Sequence, residues 1–190
     1  DFLRLARQLA YRVRDSGFRP DLIIAIARGG YMPARMLSDY LDIAEVVSIR
    51  IVHYRGAEKV PVAQIRQALN VDVSGKRVLV VDDVNDSGDT LELALQHIEQ
   101  QGQPGELCTA VLDHKTVSGF EPDYYARTIS DWRWIIYPWA VIEDCISFIR
   151  FYDDPGLSEE QLAQRIETDF AVKLELQTVH DALVAIKQNG

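Results

Sequence analysis

The sequence predicts an α/β fold, a central parallel sheet flanked by helices, with a small cap and a C-terminal helical extension. Three observations lead there. Asp21-Leu22-Ile23-Ile24-Ala25-Ile26 and Val78-Leu79-Val80-Val81 are nearly continuous branched apolar runs, the signature of strands buried on both faces. Each run ends in a turn of glycines or small polar residues that opens into a helical pattern. Strand and helix patterns then alternate up to about Cys145, as parallel pairing through helical crossovers requires.

The elements follow in order. Leu3, Leu5, Leu9 and Val13 recur at near-helical spacing among Arg4, Arg7, Arg12 and Arg14, and Gly17 and Pro20 stop that first helix. After the strand ending at Ile26, Ala27-Arg28-Gly29-Gly30 is a turn, and Pro33 suits the first turn of a helix reaching about Tyr40. Glu45 to His53 is a strand. Tyr54 to Asn70 reads as a long loop, and long loops in compact domains are commonly functional. The strand at Val78 is followed by a helix from Leu91 to about Gly102, then by a strand from Leu107 to Leu112. Tyr124-Tyr125 and Ile135-Ile136-Tyr137 read as short strands of a cap spanning about residues 116–145. Beyond the main domain of residues 1–145, an extension of residues 146–190 packs on the core or at a dimer interface. Within it, Ser158 and Gln161 have capping-box spacing, Phe170, Val172, Leu174 and Leu176 alternate like a strand, and Thr178 caps a helix to Lys187.

Composition excludes several function classes. With 190 residues, 47% of them hydrophobic, the chain can bury one substantial core. It has no apolar run long enough to span a membrane, and its opening residues lack the layout of a signal peptide. Cys108 and Cys145 lie in apolar runs, as small core residues do, so a cytoplasmic protein is expected. A net charge of −9 disfavours nucleic acid as a partner. Any phosphate ligand therefore needs local backbone donors, a few placed cations and a divalent metal.

Chemistry concentrates between Val78 and Thr90. Asp82 and Asp83 stand where an apolar strand ends, the edge at which α/β sheets bind ligands. Asp86-Ser87-Gly88-Asp89-Thr90 then leads into a helix whose N-terminal amides favour an anion. The upstream turn adds Arg28, a forked cation, and two glycines that permit close approach to the main chain. Alone, that turn reads as an ordinary strand-to-helix connection. Lys115 alone reads as a solvated lysine, and Trp134 as a core residue.

The stretch from Val78 to Thr90 closely resembles the 5-phosphoribosyl 1-pyrophosphate (PRPP) motif of the type I phosphoribosyltransferases. Ser87 stands where a threonine is commoner, which keeps the hydroxyl. The resemblance covers roughly Leu3 to Asp144. It implies that Asp86, Ser87, Gly88, Asp89 and Thr90 form the 5′-phosphate loop, with the Asp89 side chain pointing away. It also implies that Asp82 and Asp83 hold the ribose hydroxyls, directly or through Mg²⁺, and that Ala27, Arg28, Gly29 and Gly30 bind pyrophosphate.

Lys115 followed by Trp134-Ile135 and Pro138-Trp139 is similar to the 6-oxopurine branch of that family. The resemblance implies that Lys115 meets the 6-oxo group, that Trp134 stacks on the base and that the Ile135 backbone bonds its edge. Asp86 would be the catalytic acid or base, and Tyr54 and Arg55 would belong to a closing lid. Ala140 replaces an acidic residue common in relatives, with Glu143 and Asp144 a little later, which leaves purine choice and metal count open. The expected activity is a Mg²⁺-dependent purine phosphoribosyltransferase, a homodimer by fold analogy. The alternative is a non-catalytic regulator of the same fold that senses PRPP or a nucleotide.

Overall fold

The computed structural model describes residues 2–54, 62–130 and 134–189. The chain divides into two compact units, Asp1–Asp131 and Trp132–Gly190. In the first, the helix Phe2–Asp15 (α1) leads to the strand Leu22–Ala27 (β1), the helix Tyr31–Leu41 (α2) and the strands Val46–Tyr54 (β2) and Val62–Gln67 (β3). The strand Arg77–Asn85 (β4), the helix Asp89–Gln101 (α3) and the strands Glu106–Lys115 (β5) and Tyr124–Ile129 (β6) complete it. The six strands form one sheet in the order β3-β2-β1-β4-β5-β6, parallel throughout except for the antiparallel edge strand β3.

Why these residues pack this way follows from alternation along the central strands. Ile24 and Ile26 of β1 and Val78 and Val80 of β4 join Leu91, Ala94 and Ile98 of α3 in one buried cluster. Their odd-numbered neighbours, Ile23, Ala25, Leu79 and Val81, point to the opposite face and are equally buried. Two-sided burial explains why both strands are apolar without a break. On that second side α2 lies against β1 and β4, while α1 lies against β5 and β6. The α1 stripe is Leu5, Ala6, Leu9, Ala10 and Val13, and Leu3 falls outside it at 58% exposure. At the sheet's carboxyl edge Ala27, Asn85 and Lys115, the last residues of β1, β4 and β5, all end on the same side.

Several expectations are corrected. The stretch from Tyr54 to Asn70 is not wholly loop, because Val62–Gln67 pairs with β2 from Tyr54↔Val62 to Arg50↔Gln67. An edge strand is held by main-chain bonds to one neighbour, so its polar VAQIRQ sequence carries little apolar signal. Leu69, just after it, is buried and donates its amide to Nε2 of His97 on α3 at 3.0 Å. Tyr124-Tyr125 does begin a strand, but β6 extends the main sheet parallel to β5 and is no part of a cap. Residues 134–137 form no strand.

The second unit holds the helices Val141–Tyr152 (α4), Glu159–Phe170 (α5) and Leu176–Asn189 (α6). The boundary expected at residue 145 falls inside α4, because Cys145 is buried with Leu162, Val179 and Ala182 of the other two helices. The Ser158 capping box is present: its hydroxyl accepts the Gln161 amide at 3.3 Å, and its own amide donates to Gln161 Oε1 at 2.9 Å.

The alternation after Phe170 does not make a strand. Ala171 ends α5 in the left-handed region at φ 55°, and α6 starts at Leu176. The alternate apolar residues are nonetheless used: Val172 and Leu174 pack on Phe148 and Ile166 from an irregular crossing. Thr178 lies inside the first turn of α6 and donates its amide to the Glu175 carbonyl at 3.0 Å, so it does not cap the helix.

Candidate active site

The turn after β1 lies close against β4, Gly30 on the Val81 main chain and Gly29 on the Asp83 carboxylate. A Cβ on Gly29 would lie 2.6 Å from the carboxyl carbon of Asp83. A Cβ on Gly30 would strike the carbonyl oxygens of Val81 and, at 2.7 Å, Ile26. Only glycine fits at position 30, where both clashes are with main-chain carbonyls, whereas at position 29 a Cβ would have to displace the Asp83 carboxylate. The pair thus lets the 27–30 turn lie directly beside the Asp83 carboxylate. The turn closes through the Gly30 amide on the Ile26 carbonyl at 2.8 Å and the Tyr31 amide on the Arg28 carbonyl at 3.2 Å. The Ala27–Arg28 peptide bond is cis, and Arg28 is exposed.

Strand β4 runs past the four apolar residues to Asn85, so both acids are held on a strand. Asp82 is buried and accepts the Asp83 amide on Oδ1 at 2.9 Å. Its carboxyl is pushed well above the usual range by burial and then by the neighbouring Asp83 charge, against the opposing effect of that amide. A buried carboxylate destabilised by its neighbour is relieved by a cation or by hydroxyl donors. Hard oxygens of this kind suit Mg²⁺, which typically takes one or two protein carboxylates alongside substrate oxygens and water. Among the described residues no group of three or more His, Cys, Asp or Glu side chains forms a metal cage.

The loop after β4 has the features of an anion cradle. Gly88 sits at φ 104°, forbidden ground for most residues, and caps α3 without help from any side chain. Beyond the Asp89 amide, which meets only the Ser87 hydroxyl at 3.4 Å, no side chain of the cap residue serves the first amides of that helix, which suits an anion. Asp86, Ser87 and Asp89 are exposed. The Ser87 hydroxyl accepts the Asp89 amide at 3.4 Å, and the Thr90 hydroxyl lies 2.9 Å from His53 Nε2 at the end of β2.

Lys115 ends β5 with its side chain 10% exposed, and its Nζ lies 2.9 Å from Asp86 Oδ1. This brings a strand-end cation and the first acid of the loop after β4 into one ion pair. Neither the pair nor the contact of Gly29 with Asp83 can be read from sequence spacing.

The remaining candidates lie elsewhere. The main chain of Tyr54 closes β2, and Arg55 lies outside the described residues. Trp134 and Ile135 belong to the second unit. There the Trp134 ring packs on Phe148 and Phe170, with ring centroids at 4.9 and 5.9 Å, and stays 37% exposed.

Sequence reading passed over Asn85, which is 2% exposed between the acids and the phosphate loop. Its amide donates to the Phe120 carbonyl at 2.7 Å and to His114 Nδ1 at 3.0 Å, and its oxygen accepts from the Ser118 hydroxyl at 3.3 Å. A polar residue closing an apolar strand was the one available signal.

Comparison with known proteins finds relatives in both sequence and fold. The xanthine-guanine phosphoribosyltransferase of Ruegeria sp. is 30% identical over 157 residues, covering 72% of this chain and 79% of that protein. The crystal structure of a purine phosphoribosyltransferase from Pyrococcus horikoshii superposes with a TM-score of 0.63 at 36% identity, over 72% of this chain and 87% of that one. A hypothetical protein from Neisseria gonorrhoeae with bound ppGpp has a TM-score of 0.63 at 32% identity, over 73% and 84% of the two chains. Residues 1–143 match the phosphoribosyl transferase domain, and with purine enzymes among its relatives at about this level of identity the chain belongs to the phosphoribosyltransferase family.

Proposed function

We propose that this chain transfers the 5-phosphoribosyl group of PRPP to a ring nitrogen of a 6-oxopurine, giving a nucleoside monophosphate and pyrophosphate. The observation that carries the proposal is the Lys115–Asp86 ion pair at the edge of the phosphate loop. It sets beside each other an ammonium that would donate to a purine oxygen and a carboxylate that would move a ring proton. Asp86, Ser87, Gly88, Asp89 and Thr90 would surround the 5′-phosphate, chiefly through backbone amides, with the Asp89 carboxylate turned away. Asp82 and Asp83 would meet the ribose hydroxyls, and Ala27 to Gly30 the pyrophosphate. Mg²⁺, held by the two acids and by oxygens of PRPP, would supply neutralisation of the departing charge. Trp134 and Ile135 are proposed base contacts, and Tyr54 and Arg55 proposed parts of a lid that excludes water. A cytoplasmic homodimer is part of the same proposal.

The chemistry asked of the chain is mainly positioning. An oxocarbenium-like transition state gains most from fixed charges placed where charge changes, and from holding the base near the anomeric carbon.

The deciding experiment offers adenine, hypoxanthine, guanine and xanthine separately with PRPP and Mg²⁺, and follows both pyrophosphate and nucleotide. Turnover with one or more 6-oxopurines and little with adenine is expected. The relative that binds ppGpp favours a second reading, in which the site senses a nucleotide without turnover. PRPP binding with no turnover of any base would select that reading.

A further inference from the structure

Asn85 and its partners tie together the two loops that carry the proposed chemistry. Asn85 and His114 are opposite each other in the register of β4 and β5. One residue beyond Asn85 the phosphate loop begins at Asp86, and one residue beyond His114 stands Lys115. From Lys115 the chain turns at once, with the Ser118 amide on the Lys115 carbonyl at 3.0 Å. The turn then folds over the phosphate loop: the Gly119 amide donates to the Ser87 carbonyl at 3.2 Å. A Cβ on Gly88 would sit 2.6 Å from the Cβ of Phe120 and 3.1 Å from the Ser118 hydroxyl.

The Asn85 carboxamide is a buried group that joins these two segments, beside the Lys115–Asp86 pair and the Gly119 amide. Both its N–H bonds are used, on the Phe120 carbonyl and His114 Nδ1, and its oxygen takes the Ser118 hydroxyl proton. Ser118 in turn accepts the Phe120 amide at 3.2 Å. These partners fix the orientation of the amide. They also fix the imidazole tautomer, since Nδ1 must be the acceptor and a neutral ring then carries its proton on Nε2. The ring is held from the side by Tyr125, with centroids 5.0 Å apart.

We propose that Asn85 is a positioning residue: through His114, Ser118 and Phe120 it locks the 86–88 loop to the 115–120 turn, and so sets the alignment of Asp86 with Lys115. The proposal rests on the transfer reaction proposed above for its kinetic test, though not for its structural one. A carboxamide is required because the site needs two donors and one acceptor in a fixed plane. An aspartate of the same shape would turn an oxygen toward the Phe120 carbonyl, and an alanine would leave all three partners without their bond.

The test compares the full-length chain with Asn85→Asp and Ser118→Ala, using steady-state kinetics with PRPP and a 6-oxopurine, and amide hydrogen exchange without ligand. Asn85→Asp preserves side-chain volume, so a residue that merely fills space predicts unchanged kcat. The lock predicts a fall in kcat of about 10²-fold, the cost of a misalignment on the ångström scale, with the KM for PRPP changed much less. Ser118→Ala removes two bonds, to the Asn85 oxygen and from the Phe120 amide, but leaves both Asn85 N–H bonds in place, and gives a smaller fall in the same direction. In both variants the amides that bond to the loop, those of Asp89 and Glu92, and the amides of residues 118–120 lose exchange protection together while β1 and β4 stay protected. Unchanged kcat in Asn85→Asp, or protection lost in only one of the two segments, overturns the lock. If the unaltered chain turns over no purine, the transfer reading fails by itself, and the exchange comparison alone decides the lock.

Discussion

Lys115 Nζ and Asp86 Oδ1 are 2.9 Å apart, with the lysine side chain 10% exposed and the aspartate 62% exposed. A pair open to water on one side adds little to stability, so its value lies in arranging two groups for a ligand. We expect Lys115→Met to lower kcat/KM for the 6-oxopurine far more than it weakens PRPP binding, and Asp86→Asn to lower kcat. Because the two act as one unit, the double variant should lose less than the sum, with a coupling on the order of 0.5–3 kcal/mol. Full additivity of the two losses would show that the ion pair has no part in the reaction.

Asp82 supports a prediction about pH and stability. Burial and the Asp83 charge hold its folded-state pKa well above the ordinary carboxylate value. Folding then favours the protonated form. The contribution of this group is present below the ordinary pKa and is lost as pH rises toward the folded value, so above the ordinary carboxylate range Asp82 is a net cost to folding. Asp82→Asn should therefore raise the melting temperature at neutral pH, at roughly 2–4 °C for each kcal/mol recovered. That gain should shrink on acidification, as the unaltered Asp82 takes up its proton. The same variant should weaken PRPP–Mg²⁺ binding. Melting curves across pH check it, and a variant that is less stable at neutral pH would contradict the cause assigned here.

What could be read before the structure, and what could not, divides along physical lines. The β1 and β4 runs announce themselves because burial on both faces leaves no polar residue to interrupt them. The turn of residues 86–88 into α3 is equally plain, since its small residues and following helix are local in sequence. Edge strand β3 was hidden because its stability comes from bonds to β2, which no local pattern records. The alternation at Val172 and Leu174 misled because an irregular crossing between two helices can bury every second residue as well as a strand can. Asn85 was missed for a related reason: its role depends on lying opposite His114, and register between strands is a long-range fact.

The second unit offers a prediction independent of catalysis. Phe148 is 1% exposed, with Phe170 and Trp134 at 4.4 and 4.9 Å between ring centroids. Phe148→Ala should destabilise this unit by about 3–5 kcal/mol, the usual cost of emptying a buried aromatic site. Denaturant unfolding followed by tryptophan fluorescence reads it. A loss below about 1 kcal/mol, less than the transfer of the ring alone should cost, would mean that the three rings do not form the core of the unit.

Gly88 gives the sharpest test of the phosphate loop. Its φ of 104° lies where a side chain is strained, and an added Cβ would meet the Phe120 Cβ at 2.6 Å. Backbone strain alone costs roughly 1–2 kcal/mol, and the contact must be relieved by moving the 118–120 turn or the loop itself. Gly88→Ala should therefore raise the KM for PRPP strongly, while β1 and β4 keep their protection from hydrogen exchange. The nearest atom is a Cβ, which alanine retains, so adding Phe120→Ala should give no rescue, whereas Phe120→Gly should recover part of the lost affinity. Titration of PRPP into the three variants separates these outcomes. Recovery with Phe120→Ala would show that the aromatic ring, and not the close approach of the two main chains, shapes the cradle.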